Sequence, residues 1–138
     1  MRARGVTVAL VAALMTSMLV AVPGTAQAAC ARTSFTTDAG FASANGVRGR
    51  VSEPQFTSRQ STCRDVNMDW VGGPDTYAAQ YAQSSLTGRI TWVTGSGGRR
   101  QFPGGRIAPA WVPIRDLAAG NRYRAWSQDN VQAVNMFD

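Results

Sequence analysis

The segment RYRAWSQ, residues 122–128, places Arg122, Arg124 and Trp126 at alternate positions. In an extended strand, alternate residues share a face. Guanidinium groups beside an indole suit anionic polymers and sugar rings, because arginine supplies charge and bidentate hydrogen bonds while the indole supplies a stacking plane. With Tyr123 and Ala125 turned to the core, Arg122, Arg124, Trp126 and Gln128 would face solvent together. A local bulge would instead turn Trp126 inward and leave the arginines merely solvated. The exposure of one indole therefore separates a binding face from a packing residue.

A second candidate is GSGGRRQFPGG, residues 95–105, in which five glycines and a proline enclose Arg99 and Arg100. A Walker-type phosphate loop ends in Gly-Lys-Ser/Thr, and the chain contains no lysine. A dinucleotide fingerprint needs glycine where Arg100 stands, and Pro103 follows where its helix would grow. TGSGG reads instead as a hairpin loop joining RITWV to RRQF, with the glycines supplying positive φ. Arg99 and Arg100 would then sit exposed at its tip. There they would serve either as bait for a trypsin-like protease or as charges that blunt edge pairing.

Most catalytic chemistry is excluded by composition. Histidine is absent, which removes Ser-His and Cys-His pairs and the usual zinc sites. The absence of lysine removes Schiff-base chemistry. Carboxylates remain, at Asp38, Glu53, Asp65, Asp69, Asp75, Asp116, Asp129 and Asp138. None lies in an apolar run that would raise its pKa for acid duty. Asp65 and Asp69 would stand about 13 Å apart along one strand face, too far for paired-carboxylate hydrolysis. Asp65, Asn67 and Asp69 match the first, third and fifth positions of an EF-hand loop, but Trp70 and Thr76 stand where glycine and glutamate are required. A solvated strand face opposite Val66, Met68 and Trp70 accounts for the same residues; a different calcium site on this face with Asp75 is the alternative. No cofactor or metal is expected.

The elements that would carry these residues are strands. Glycine and proline recur throughout, and short alternating runs lie between them. TCRDVNMDWV (62–71), TYAAQYAQ (76–83), RITWVT (89–94), WVPIRDL (111–117), RYRAWSQ (122–128) and VQAVNMF (131–137) read as strands, with TSFTT and VRGRVS as weaker additions. Pro113 marks its strand as an edge or a bulge. DLAAGN (116–121) is the tight loop entering the second-last strand. Trp70 and Trp92 alternate with apolar neighbours and read as core. Tyr77, Ala79 and Tyr81 share one face. A helix over 76–86 is the rival reading there, favoured by its alanines and glutamines. The expectation is an all-β, single-domain antiparallel β-sandwich of about seven or eight short strands.

The ends set the compartment. Arg2 and Arg4 precede an apolar run from Val6 to Val22, then Pro23, Gly24 and the small-residue motif AQA at 26–28. This is the layout of a cleaved secretory signal peptide, residues 1–28, leaving a domain over 29–138 with no membrane span. Gln27 stands where a lipoprotein signal wants an aliphatic residue, which argues against lipid on Cys30. In an exported chain the two cysteines, Cys30 and Cys63, pair as one disulfide. All 14 basic residues are arginine; removing Arg2 and Arg4 leaves 12 against 8 acids, a net charge of +4. In composition the exported part resembles the small, disulfide-bearing β-proteins of GC-rich Gram-positive bacteria, a resemblance that assigns no site.

Together these readings imply a secreted, monomeric, non-catalytic module that binds cell-wall or extracellular glycans or other anionic polymers through Arg122, Arg124 and Trp126. A small protease inhibitor acting on an extracellular protease through Arg99–Arg100 is the second reading. A weak carboxylate-based hydrolase is the third.

Overall fold

The computed structural model describes residues 30–57 and 63–138. The expected signal peptide, residues 1–28, and its cleavage point lie outside the described residues. Eleven strands form: β1 (Arg32–Thr36), β2 (Gly40–Ala44), β3 (Val47–Val51), β4 (Gln55–Phe56), β5 (Val66–Val71), β6 (Asp75–Ser84), β7 (Ile90–Thr94), β8 (Arg100–Phe102), β9 (Gly105–Ile114), β10 (Arg122–Ser127) and β11 (Ala133–Phe137). No helix occurs among the described residues. In place of a helix over 76–86, residues up to Ser84 form strand β6, because β6 is paired along both edges, with β10 on one side and with β7 and β8 on the other; Ser85 and Leu86 begin the turn to β7.

The strands make a sandwich of two antiparallel sheets. One has the order β1-β11-β5-β9. The other has the order β2-β3-β10-β6-β7, with β4 also beside β10 and β8 also beside β6. The strand count exceeds the expected seven or eight because two edges are broken into pieces, and because Asn45–Gly46 turns β2 back onto β3. Both turn residues have positive φ, 47° and 82°, as a two-residue hairpin turn requires.

Between the sheets lies the main core. Phe35, Val66, Met68 and Val71 pack there with Tyr77, Ala79, Ile114, Tyr123, Ala125, Val134 and Met136. Tyr81 packs at its margin, so Tyr77, Ala79 and Tyr81 share the inner face as their spacing predicts. The edge position of β9, with Pro109 and Pro113, also matches expectation.

The tryptophans do not follow the sequence reading. Trp70 leaves the inner face because the β5–β11 register shifts between Asn135 and Met136, pairing Trp70 with Asn135 and Met68 with Met136. That bulge turns Val71 inward and leaves Trp70 half-buried on the outer face. Trp92 is likewise half-buried, on the outer face of the larger sheet. Trp126 is the indole that is fully covered, at 0% exposure. It keeps the outward alternation of Arg122 and Arg124, but a second small core forms over it from Ala44, Val51 and Ala78, with Ala42 and Val47 at the side. The β2–β3 hairpin supplies most of this cover. Gly49 makes it possible: a Cβ there would overlap the Trp126 indole. Trp126 Nε1 donates to the Ala42 carbonyl at 3.0 Å.

The glycine-rich stretch is not a hairpin. β7 and β8 run in the same direction along one edge of β6: Thr94 pairs with Gln80, and Arg100 with Tyr77. Residues 95–99 therefore form a bulge in one interrupted edge strand. The Gly95 amide donates to Ala79 O at 2.9 Å, and the Gly97 amide donates across to Pro113 O of β9 at 3.1 Å. A Cβ on Gly95 would overlap the Pro113 carbonyl, and one on Gly97 would stand 2.7 Å from Pro113 Cα. These glycines let the edges of the two sheets touch.

Cys30 and Cys63 form the expected disulfide, with Cα atoms 5.6 Å apart. It ties the residues before β1 to the start of β5. Closing 33 residues of sequence separation stabilises the fold by about 3–4 kcal/mol on a chain-entropy argument.

Candidate functional site

The outer face of the larger sheet gathers arginines and aromatics, although not the set expected. Arg122 and Arg124 point outward from β10, while Tyr123 and Ala125 are buried on the inner face. Trp126 offers no stacking surface, because the β2–β3 hairpin covers it. Its place beside the arginines is taken by Trp92, two strands away. Register explains the meeting. Phe56 pairs with Arg122, Tyr123 with Tyr81 and Ala82 with Trp92. One row across the sheet therefore reads Phe56, Arg122, Ala82, Trp92. Ala82 is small enough for both flanking side chains to lean over it.

Arg124 completes the arrangement from the next row. Its Cζ lies 4.1 Å from the centroid of the Trp92 ring, and that of Arg122 lies 5.9 Å away. Arg124 Nε and Nη2 both donate to Gln80 Oε1, at 3.0 and 2.9 Å. Gln80 is itself fixed, 1% exposed, with Nε2 donating to Ser43 O at 2.8 Å. Burial pulls the Arg124 pKa down to about 10, so the guanidinium remains a cation at neutral pH. Neither arginine meets a carboxylate: among the described residues the ion pair formed is Arg32–Asp69, on the other sheet. Phe56, at 70% exposure, and Ile90 extend the apolar surface at either side. The result is a platform on which a cation rests against an indole and keeps its charge unneutralised.

Arg99 and Arg100 do not belong to this platform. Arg100 pairs with Tyr77 and Trp92 with Ala82, five residues apart along β6 or about 17 Å. Both arginines are exposed, and Arg99 Nη1 reaches Gln128 Oε1 at 3.4 Å. They are not at a protruding tip, because the backbone of Arg100 is laid flat against β6. A bait residue needs an extended loop standing clear of the body, and this segment lacks that shape.

The carboxylates are dispersed. Asp69 pairs with Arg32, and Asp65 accepts the Asp116 amide at 3.0 Å. Asp75, 6% exposed, accepts amides of Thr76, Asp129 and Asn130 at 2.7, 3.1 and 3.0 Å. That cluster holds the 128–132 loop and is a structural use of charge. The polar face considered for calcium is thus divided among separate partners, and among the described residues no group of three or more acidic or cysteine side chains is placed to hold a metal. Among the described residues no helix is long and apolar enough to cross a membrane.

Sequence reasoning missed Trp92, Gln80 and Phe56. The small residue Ala82 was the available signal, since a small residue in a strand face leaves room for its neighbours to lean across it; which neighbours do so is set by the register. Comparison of the chain with known protein families, with curated proteins and with solved structures finds no match.

Proposed function

We propose that the protein is an exported, monomeric, non-catalytic module that binds acidic extracellular or cell-wall glycans and related anionic polymers on the outer face of its larger sheet. The observation that carries this reading is the Arg124–Trp92 stack with Arg122 beside it, neither arginine paired with a carboxylate among the described residues. Stacked arginine recognises planar anionic groups and ring faces together. Phe56 and Trp92 stand three strand spacings apart, about 14 Å. A linear polymer crossing the strands would meet both aromatics with the arginines between them. Export is supported by the apolar leader and by the disulfide, which forms in oxidising compartments.

The test is titration of the protein with an acidic polysaccharide, such as polygalacturonate, and with a neutral glucan across a salt series. Binding should be restricted to the acidic polymer and should weaken as salt screens the arginines. Trp92→Ala should weaken it by about 1–3 kcal/mol, the range for stacking platforms. Equal affinity for the neutral polymer, or indifference to Trp92→Ala and Arg124→Ala together, would remove the reading.

A further inference from the structure

The two sheets touch at Gly97 and Pro113 and part beyond that contact. A cleft of about 450 Å³ opens there between β8 and β9, within the size range of small-molecule sites. Its floor is aromatic. Phe102 is buried and Trp111 half-buried, with ring centroids 5.4 Å apart and planes tilted by 55°. Ile107 lies beside them. Around this floor stand Arg100, Arg106 and Arg115, from β8, the start of β9 and the loop after β9. Arg100 carries its guanidinium 5.1 Å from the Phe102 centroid. Among the described residues no aspartate or glutamate lines the cleft, and none of its three arginines forms an ion pair.

We infer that this cleft is a second binding site, for a small polyanion built on an aromatic or sugar ring. Arg100 and Arg115 stand in the cleft without a counter-charge, and Arg106 is shared with the adjoining hollow that Asp69 lines; the guanidinium groups create a positive field that a concave wall focuses. The half-buried Trp111 face offers a plane for a ring within that field. The volume suits one or two rings. An extended peptide is a poorer occupant, because Pro109 and Pro113 remove backbone donors from the β9 edge. The site does not depend on the Trp92 platform, which lies on the opposite face of its sheet.

Calorimetric titration of the whole protein with three probes tests this. They are naphthalene-1,3,6-trisulfonate (ring and charge), sodium sulfate at matched ionic strength (charge alone) and 2-naphthol (ring alone). The trisulfonate should bind at least tenfold more tightly than either control. Its addition should shift the Trp111 indole N–H resonance and leave that of Trp92 in place. Arg100→Gln combined with Arg115→Gln should weaken binding at least tenfold with an unchanged melting temperature. Trp111→Leu should weaken binding likewise, and the arginine pair carries the test if that variant fails to fold. Sulfate or naphthol binding as tightly as the trisulfonate would overturn the site. So would shifts centred on Trp92, or unaltered affinity in the arginine double variant. Loss of polygalacturonate binding by Trp92→Ala would leave this result untouched, so the two sites fail separately.

Discussion

Trp126 fills a space that exists because Gly49 has no side chain, and its fate illustrates how far alternation can be read. The strand pattern correctly put Arg122, Arg124 and Trp126 on one side of β10. It could not show that a hairpin some 80 residues earlier in the chain would fold over the last of the three. Trp126→Ala should therefore cost about 3–5 kcal/mol of stability through cavity formation, measured as a lowered denaturant midpoint. Trp92→Ala should cost well under half of that, since Trp92 is half-exposed and lies outside both cores. Equal losses for the two variants would contradict the burial described. The buried phenols give a second outcome at this scale. Desolvation pushes the Tyr77 pKa from 10.0 up to about 12, and desolvation together with Asp138 raises that of Tyr123 further. A raised folded pKa contributes stability that is complete below the unfolded value and is lost as pH climbs through the folded one. Arg124 acts in the opposite sense. Its lowered pKa means that the cost of burying its charge is relieved above about pH 10. With two phenols against one guanidinium, the urea midpoint should fall between about pH 10 and 12, and the fall should be shallower in Tyr77→Phe.

At the scale of elements, the edge formed by β7 and β8 shows what a loop-like composition can conceal. Five glycines around two arginines look like a turn, and glycines do supply turns. Here Gly95 and Gly97 are needed instead for close approach to Pro113, a partner that local sequence cannot identify. The strands flanking the stretch were legible from their alternation, but the direction of the second strand was not. A hairpin and a bulge place the same residues in strand and differ only in pairing. Gly95→Ala should lose about 1–3 kcal/mol, as overpacking does, because its Cβ would meet the Pro113 carbonyl and Ile114 Cγ1 at 2.7 Å. Ser96→Ala, exposed between the two glycines, should change stability by less than about 0.5 kcal/mol. The same flat geometry bears on proteolysis. With Arg100 paired to Tyr77, the native protein should neither inhibit a trypsin-like enzyme at micromolar concentration nor be cut after Arg100. Inhibition abolished by Arg99→Ala/Arg100→Ala would restore the inhibitor reading. The Asn45–Gly46 turn is a local hairpin signal that the sequence reading passed over, and it builds the cover over Trp126.

For the whole molecule, composition carried the fold class because it limits what can form. With glycine and proline frequent and helical periodicity absent, two sheets around one core are the arrangement that buries the alternating apolar residues. The pairing of the cysteines followed from their number. What composition could not supply was the division of labour between the sheets, which depends on register across strands distant in sequence. That division makes a prediction. The Cys30–Cys63 bridge joins the start of β1 to the start of β5, in the smaller sheet, whereas Trp92, Arg122 and Arg124 lie on the larger one. Removing the bridge by Cys30→Ser/Cys63→Ser frees the unfolded chain and should lower stability by about 3–4 kcal/mol. The platform contains no residue tied to the bridge, and Gln80 holds Arg124 through contacts within the larger sheet. Affinity for polygalacturonate should therefore match that of the bridged protein at any temperature where circular dichroism shows the variant folded. Weakened binding in the folded variant would mean that the smaller sheet positions the platform and that stability and recognition are not separate in this fold.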